Sequence, residues 1–174
     1  MIRQLNRAEL EGQIDELCTL LIDAVDSGAS LGFLPPLLRE NAAQYWRSVV
    51  AAIHKGSRVM LAAYDGNRVI GTVQLDLATK ANALHRAEVC KLMVHRDARG
   101  QGTGKALMAA VESAAAASGR TLLVLDTRQG DPSESLYRQL GYATAGVIPN
   151  YARSADGRLH ATVFFYKDLS GGNG

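Results

Sequence analysis

Two stretches in the first third of the chain carry apolar residues at steps of three and four, the spacing of a helix with one buried face. The first stripe predicts a helix from about Arg7 to Asp26. The second predicts a helix from about Leu37 to His54, with Lys55-Gly56 as its stop signal. The apolar members are Leu10, Ile14, Leu17, Leu20, Leu21, Ala24 and Val25 in the first, and Trp46, Val49, Val50 and Ile53 in the second.

The segment between these helices, residues 27–36, is rich in glycine and proline but also carries Leu31, Phe33 and Leu34. A purely solvent-exposed loop would not need three large apolar side chains. Two interpretations remain open: a loop folded onto the core, or a wall of a substrate site.

Beyond residue 57 the period changes to the alternation of β-strands. Arg58 to Tyr64 and Arg68 to Leu77 are predicted to form a hairpin across a short turn that contains glycine and asparagine. The next predicted strand, His85 to His95, loses its alternation where Lys91 interrupts the apolar run. We therefore predict a β-bulge near Cys90 to Leu92, and bulges often lie beside active sites.

The remaining pattern alternates between helices and strands. Asp131 has the features of an N-cap, with proline at the first helical position and an acid at the third. The short strand before it is nearly continuously apolar, as expected of a strand covered on both faces. The predicted elements are a helix over 103–118, a strand over 121–127, a helix that starts at Asp131 and stops at Gly141, and strands over 142–148 and 159–166 separated by a loop over 149–158.

The order of elements, two helices followed by ββ-β-α-β-α-ββ, predicts an α/β (mixed α+β) fold with a mixed sheet, helices on both faces and a bulged central strand. The strand, helix, strand unit over 85–127 is a parallel crossover. At 174 residues the chain is expected to be one domain, with residues 171–174 as a frayed tail.

The composition narrows the class of protein and its partners. Hydrophobic residues make up 47% and charged residues 21%, which is typical of a globular protein, and a net charge of +2 gives no argument for nucleic acid or membrane partners. No signal peptide or membrane-spanning run is recognisable, so a cytoplasmic location is expected. Cys18 and Cys90 are predicted to be reduced and buried, and no Cys/His cluster has the spacing of a metal site.

The most informative motif is the glycine-rich turn after the bulged strand, with Gly100, Gly102 and Gly104 ahead of the helix. Glycines can take positive φ and the helix N-terminus offers free N–H groups, so this turn suits a phosphate group. A Walker loop for ATP is excluded, because Arg99 stands where that motif needs its first glycine and Ala106 where it needs a Ser or Thr. A Rossmann fingerprint also fails, because its third glycine is replaced by a lysine or a leucine in the two possible registers.

The pattern Arg-x-x-Gly-x-Gly over 99–104 resembles the pyrophosphate loop of the GNAT superfamily of acyl-CoA-dependent N-acyltransferases. Residues 136–142, Leu-Tyr-Arg-Gln-Leu-Gly-Tyr, resemble a second motif of that superfamily. Segments 28–33, 86–94, 125–127 and 156–160 are similar to the tabtoxin-resistance acetyltransferases within it. The resemblance implies the GNAT fold, with a sheet of seven or nearly seven strands, and acetyl-CoA as co-substrate without a metal.

The same resemblance implies the residues that hold acetyl-CoA. Gly130 departs from the pattern, because the superfamily often has an asparagine there, so a side-chain contact to the pantetheine or to the acceptor is expected to be missing. Backbone N–H groups near Met93 or Val94 are expected to bind the thioester oxygen. The implied cofactor-binding residues are Leu92, Met93, Val94, Arg99, Gly100, Gln101, Gly102, Thr103, Gly104, Lys105 and Tyr137.

Acetyl transfer to an amine needs a group to take the ammonium proton and a proton for the departing thiolate. By the resemblance, Tyr137 stands at the superfamily's position for the general acid that protonates the CoA sulfur. The alternative is that Tyr137 only packs its helix on the sheet. Glu88 and Asp126 are the candidate bases, against the alternatives of a solvated strand residue or a partner of Arg86 or Arg128. The predicted catalytic residues are Tyr137, Glu88 and Asp126, and the predicted substrate-binding residues are Phe33, Glu88, Asp126, Tyr151 and His160.

The leading hypothesis is an acetyl-CoA-dependent N-acetyltransferase acting on the primary amine of a small molecule, such as a toxin, an antibiotic or an amino-acid-like compound. Two alternatives remain open: an acetyltransferase of protein N-termini or lysines, and a non-catalytic acyl-CoA-binding regulatory domain. An exposed terminal strand would allow two copies to pair as a homodimer.

Overall fold

The computed structural model describes residues 1–171 and contains one sheet of seven strands in the order β1-β2-β3-β4-β5-β7-β6. The predicted tail lies outside the described residues from 172 onwards. The strands are β1 (Ile2–Gln4), β2 (Arg58–Asp65), β3 (Arg68–Leu77), β4 (Arg86–Val94), β5 (Leu122–Arg128), β6 (Ala143–Arg153) and β7 (Leu159–Asp168). The helices are α1 (Arg7–Glu11), α2 (Ile14–Asp26), α3 (Arg39–His54), α4 (Thr103–Ala117) and α5 (Pro132–Gln139).

The N-terminal region differs from the sequence prediction in two ways. The single helix over 7–26 is wrong, because the chain forms two helices that break at Gly12 and Gln13. A capping box starts α1, in which the Asn6 side chain accepts from the Glu9 N–H at 3.0 Å and the Glu9 carboxylate accepts from the Asn6 N–H at 2.9 Å. The short strand β1, which pairs with β2, was missed because three residues carry too little alternation to predict a strand.

Helices cover both faces of the sheet, as predicted. One apolar core lies between α1–α3 and the face of the sheet that carries Met60 and Ala62. The second core lies between α4, α5 and the opposite face, where Val73, Leu75 and Leu123 are buried. Among residues 1–171, no helix is both long enough and apolar enough to cross a membrane.

The predicted bulge in β4 is confirmed. Thr72 pairs with Met93 while Gln74 pairs with Cys90, so β4 carries one more residue than β3 between these pairs. Lys91, in the bulge, has φ +53°, a left-handed conformation that is uncommon outside glycine. The bulge therefore changes the direction in which the side chains of β4 point before the strand ends.

β4 and β5 are parallel but pair at only three positions, Arg86 with Leu122, Ala87 with Leu123 and Glu88 with Val124. After Glu88 the two strands separate, which leaves the facing edges of their C-terminal halves without a strand partner. We call this opening the fork. It lies at the C-terminal ends of parallel strands, where open α/β sheets bind their ligands.

β5 is not covered on both faces, contrary to the prediction. Leu123 and Leu125 are buried under α4 and α5, but on the opposite face Val124 is half-buried and Asp126 is exposed. The physical reason is that α2 and α3 pack against β2, β3 and β4 and do not extend over β5. The uncovered part of this face borders the fork.

The C-terminal hairpin also departs from the prediction. β6 continues to Arg153 instead of ending at Ile148, and its pairing with β7 is irregular between Ile148 and Ala152. Pro149 is tolerated there because β6 is an edge strand. The exposed edge is consistent with the expected homodimer, which stays a prediction.

Gly71 is a position where packing requires glycine. A β-carbon at this site in β3 would lie 2.9 Å from the Met93 carbonyl oxygen and 3.1 Å from a methyl group of Leu107. We expect Gly71→Ala to lower the free energy of unfolding by about 1–3 kcal/mol, the usual cost of overpacking a core. Urea denaturation measures this. Gly146→Ala in β6 is the matched control, because no heavy atom lies within 4 Å of its β-carbon position, and equal midpoints for the two variants would contradict the prediction.

Candidate active site

The glycine-rich turn before α4 has the geometry of an anion cradle. Gly100 and Gly102 have φ of +74° and +83°, and Gly102 is the N-cap of α4. Within residues 1–171, none of the N–H groups of residues 100–105 donates a hydrogen bond to another part of the chain. A β-carbon at either glycine would meet nothing within 4 Å, so the surface of the cradle is open. These free N–H groups at the positive end of the helix dipole fit a pyrophosphate.

The two cations beside the cradle differ in their contacts. Arg99 is held in place: its Nε donates to the Val94 carbonyl at 3.0 Å and its Nη2 donates to Ser27 Oγ at 3.1 Å. Lys105 is exposed and forms no ion pair within the described part of the chain. Arg99 therefore fixes the end of β4 to the start of the loop over 27–36, while Lys105 is free to reach an anion.

A cavity of about 350 Å³ lies along the fork and reaches Arg99, just before the cradle. One wall is formed by residues 27–31 of the loop, and the other by residues 89–94 of β4. Asp126, Ser133 and Tyr137 line its inner end. Because residues 89–94 have no strand partner on the side facing β5, the backbone groups that point to that side are available to an amide-containing ligand that binds as an extra strand. This extended, amide-accepting shape fits a pantetheine arm.

Tyr137 approaches the fork from the α5 side. Its ring is buried, with centroids 5.9 Å from Tyr142 and 5.9 Å from Phe165, and the residue lines the cavity. Its hydroxyl forms no hydrogen bond within residues 1–171. Burial, and then the nearby Asp126 carboxylate, raises the pKa of Tyr137, so its phenol stays protonated at neutral pH. The structure therefore places a buried proton donor at the inner end of the cleft.

Glu88 and Asp126 lie on the opposite face of the sheet, where the strands separate. Glu88 is the last residue of β4 that pairs with β5, and Asp126 follows its partner Val124 by two residues, so the two side chains share a face. Both reach solvent, but surrounding protein atoms partly desolvate them. This desolvation raises both pKa values; that of Glu88 is raised further by Asp126 and by Asp76. Neither carboxylate forms an ion pair with Arg86 or Arg128 within residues 1–171, so that alternative is wrong.

A polar network not anticipated from the sequence supports Glu88. Asp76 is the cross-strand neighbour of Glu88, and its carboxylate accepts from Arg58 at 2.8 Å. The same guanidinium donates to the buried Gln74 at 2.8 Å, and Gln74 donates to the Tyr45 hydroxyl at 3.0 Å. These hydrogen bonds fix the side chain of Asp76, the cross-strand neighbour of Glu88.

Arg128 joins the two segments that flank the cleft. Its Nη2 donates to the Gly28 carbonyl at 3.1 Å, its Nη1 donates to Ser154 Oγ at 3.0 Å and its Nε donates to Asp131 at 2.9 Å. Asp131 is the N-cap of α5 with Pro132 in its first turn, as predicted, but its side chain is used in this ion pair and makes no capping hydrogen bond. The loop over 27–36 and the β6–β7 connection are thus tied together across the opening.

A family model for acetyltransferases of the GNAT family matches residues 23–142, about two thirds of the chain. The chain belongs to the acetyltransferase (GNAT) family. An uncharacterized N-acetyltransferase from the hisH-hisA intergenic region of Azospirillum brasilense is 31% identical over 120 residues, which cover 68% of this chain and 70% of that protein. The protein is accordingly an enzyme, an acyltransferase of the N-acetyltransferase type.

Solved GNAT structures share this fold over the whole chain. The ribosomal-protein-alanine N-acetyltransferase of Brucella melitensis aligns with a TM-score of 0.77 and 24% identity, covering 97% of this chain and 99% of that one. An aminoglycoside 6'-N-acetyltransferase in complex with coenzyme A aligns with a TM-score of 0.73 and 19% identity, covering 97% of each chain. One acts on a protein and the other on an antibiotic, so the GNAT fold alone does not identify the acceptor.

The substrate-binding residues predicted from the sequence are brought together only in part. Phe33 packs edge-to-face on Tyr45, with ring centroids 5.3 Å apart, and lines a neighbouring pocket instead of the cavity along the fork. Tyr151 packs at 5.4 Å on Phe164, the cross-strand neighbour of Asp126. His160 lies 3.6 Å from Asp156 within its own hairpin. Of the five predicted residues, Asp126 lines the cavity, whereas Phe33, Glu88, Tyr151 and His160 do not. A substrate-binding role for His160 stays a prediction.

Several residues of this GNAT site have no local signal in the sequence. Phe164 lies opposite Asp126 only through the register of β5 and β7, and Tyr45 reaches Phe33 only through the packing of α3 on the sheet. Lys91 is visible in the sequence as a charged residue within an apolar strand. That signal predicts the bulge but does not by itself predict a binding site. Within residues 1–171 no group of three or more His, Cys, Asp or Glu side chains is arranged to hold a metal ion.

The cradle can be tested separately from catalysis. Gly102→Ala places a β-carbon at φ +83° on the surface that faces the anion, so we expect coenzyme A affinity to fall about tenfold, or ~1.4 kcal/mol. Gly119→Ala is the matched control: it lies just past the other end of α4, has φ +70° and also meets no atom within 4 Å. Both variants should lose similar stability, and calorimetric titration should show weaker binding only for Gly102→Ala. Equal affinities would show that the cradle does not bind the ligand.

Proposed function

We propose that this enzyme transfers an acetyl group directly from acetyl-CoA to the primary amine of a small molecule, a toxin, antibiotic or amino-acid-like compound, in the cytoplasm. The observation that carries the proposal is the fork, with a buried phenol on one face of the sheet and a pair of carboxylates on the other. An acid and a base on opposite sides of one opening suit a reaction in which a proton leaves the nucleophile and another reaches the leaving group.

The cradle over residues 99–105 would hold the pyrophosphate of acetyl-CoA, and Leu92, Met93 and Val94 would bind its pantetheine arm. Support comes from the free N–H groups of the cradle and from the unpaired edge of β4. When bound, this co-substrate supplies an activated acetyl thioester. A backbone N–H group near Met93 or Val94 would donate to the thioester oxygen, where negative charge develops; that of Val94 is the better placed, because Met93 pairs with Thr72 of β3.

We assign the base to Glu88, with Asp126 as its charged neighbour. A general base works best when its pKa approaches the working pH. Burial raises the pKa of both carboxyl groups and Lys91 lowers both, but the pKa of Glu88 is raised further by the neighbouring carboxylates of Asp126 and Asp76. Glu88 would take the proton from the acceptor ammonium, and the Tyr137 hydroxyl would protonate the departing thiolate. The free hydroxyl of Tyr137 supports the second role.

A small acceptor is favoured over a peptide by the Arg128 bridge. Because Arg128 links Gly28 to Ser154, the loop over 27–36 is joined to the β6–β7 connection beside the opening, whereas an extended chain needs an open groove. The similarity of four segments to tabtoxin-resistance acetyltransferases points in the same direction. A role in antibiotic resistance follows if the acceptor is an antibiotic.

The test is a panel of small amines, aminoglycosides, amino acids and short peptides with acetyl-CoA, in which the release of free thiol is measured. We expect turnover with small amines and none with peptides whose only acceptor amine is that of an internal lysine. Turnover confined to peptides would favour the protein acetyltransferase. Tight binding of coenzyme A without turnover on any amine would favour the non-catalytic regulatory domain.

A further inference from the structure

Lys91 is the one non-glycine residue in β4 with a positive φ, at +53°. Residues other than glycine are uncommon in this left-handed conformation, because it costs them free energy that the surrounding fold must offset. Such positions are concentrated at functional sites. The bulge that forces this φ is also what turns the Lys91 side chain toward α3. Its ammonium lies 5.8 Å from the ring centroids of both Phe33 and Tyr45.

The ammonium of Lys91 has no ion pair or hydrogen bond within residues 1–171. The neighbouring arginines are different, since Arg58 is paired with Asp76 and Arg128 with Asp131. Two aromatic faces hold the Lys91 cation electrostatically but satisfy none of its N–H groups. A half-buried ammonium with unused donors beside a cleft is available to an anionic ligand.

Lys91 also lies close enough to the carboxylate pair for its charge to act on both Glu88 and Asp126, although it is not bonded to either. The acceptor side of the fork thus carries separated groups of opposite sign. A ligand with an ammonium near Glu88 and Asp126 and an anionic group near Lys91 would satisfy all of them. A polycationic amine would leave Lys91 unpaired and repelled.

We propose that Lys91 determines acceptor specificity by binding an acidic group of the substrate, so that the enzyme acetylates amines that carry a carboxylate or a phosphonate. This inference rests on the proposed function. It narrows the acceptor class to zwitterionic amines of the amino-acid type and excludes polycationic amines as preferred substrates. Lys91 is in this view a specificity-determining residue, separate from the base and the acid.

The experiment compares acids with their uncharged counterparts: the common amino acids against their amides, and lysine against lysinamide and cadaverine. Rates are measured with saturating acetyl-CoA at alkaline pH, where Glu88 and Asp126 are ionised in every variant. We expect kcat/KM to be about 10- to 100-fold higher for the preferred acid than for its amide, the range expected of a charge-assisted hydrogen bond. No difference between acid and amide in any pair overturns the proposal.

The variants separate recognition from general electrostatics. Lys91→Met keeps the aliphatic length, and we expect it to remove the preference by lowering kcat/KM only for acids, while Lys91→Arg retains most of it. Lys80→Met, at an exposed lysine away from the cleft, is the control and should change nothing. Thermal unfolding and coenzyme A affinity check that Lys91→Met folds and still binds its co-substrate. An equal loss for acids and amides would mean that Lys91 acts on the carboxylate pair and not on the acceptor.

Binding measurements keep this test independent of catalysis. Acids and amides are titrated calorimetrically into the enzyme saturated with coenzyme A, which has no acetyl group to transfer. If acids bind more tightly than amides but no amine releases thiol from acetyl-CoA, the proposed function is wrong and the recognition by Lys91 stands. If amines are acetylated but acids and amides bind equally, the function stands and the role of Lys91 is wrong.

Discussion

Tyr137→Phe should lower kcat by about 10²-fold or more, within the ~10²–10⁴-fold range that a positioned general acid contributes. The substitution removes one hydroxyl and keeps the ring that packs between Tyr142 and Phe165, so the fold and the affinity for coenzyme A should change little. Because burial raises the pKa of Tyr137, the parent enzyme keeps this proton across the neutral range, and no alkaline loss of activity from Tyr137 is expected there. Steady-state kinetics across pH, with thermal unfolding, tests this.

Tyr142→Phe is the matched control for Tyr137. Tyr142 is equally buried and its ring lies in the same aromatic cluster, but its hydroxyl lies beside Glu112 and does not line the cavity. Its removal should therefore leave kcat unchanged. The acid role of Tyr137 would be lost if the two variants had the same kcat, or if Tyr137→Phe kept near-normal turnover at every pH.

Glu88→Gln should lower kcat/KM by about 10²-fold or more, because the amide cannot accept the ammonium proton. In the parent, activity should fall as the pH drops through the raised pKa of Glu88, and the midpoint should lie above the ~4.3 of an ordinary glutamate. This follows because only the ionised carboxylate can act as a base. The measurement is kcat/KM against pH with a single acceptor.

Asp126→Asn separates the two carboxylates. The substitution removes a negative charge that helps to keep Glu88 protonated, so the pKa of Glu88 should fall and the acidic limb of the profile should move to lower pH. The plateau rate should change far less than in Glu88→Gln. The reverse pattern, a large plateau loss in Asp126→Asn alone, would assign the base to Asp126. Two amide variants that both behave like the parent would show that neither carboxylate is the base.

Most of the fold could be predicted because its signals are local. The apolar stripes of α2 and α3 and the alternation of β2 and β3 each depend on residues that are close in sequence. The boundaries that failed depend on distant partners. β1 is a strand because it pairs with β2, and β6 extends to Arg153 because β7 is long enough to pair with it.

The candidate site divides in the same way. The glycines of the cradle, the motif tyrosine and the charge within β4 are visible in the sequence because each breaks or fits a short pattern. The residues packed around the two carboxylates and Phe33, namely Phe164 and Tyr45, are positioned by strand register and helix packing, which no local pattern specifies. The open face of β5 was mispredicted for that reason, since an apolar run does not reveal which helices will cover it.

The sequence by itself determined that the chain has a glycine-rich turn ahead of a helix and a bulged strand before that turn, and it identified a motif tyrosine and two carboxylates as candidates for acyl transfer. Only the tertiary structure decided how these groups are arranged. β4 and β5 separate after Glu88, so the phenol and the carboxylates meet at one opening from opposite faces. Strand pairing over long separations in sequence is fixed by the packing of the whole sheet. The same packing places Lys91 beside the rings of Phe33 and Tyr45 and lets Arg128 bridge two distant segments.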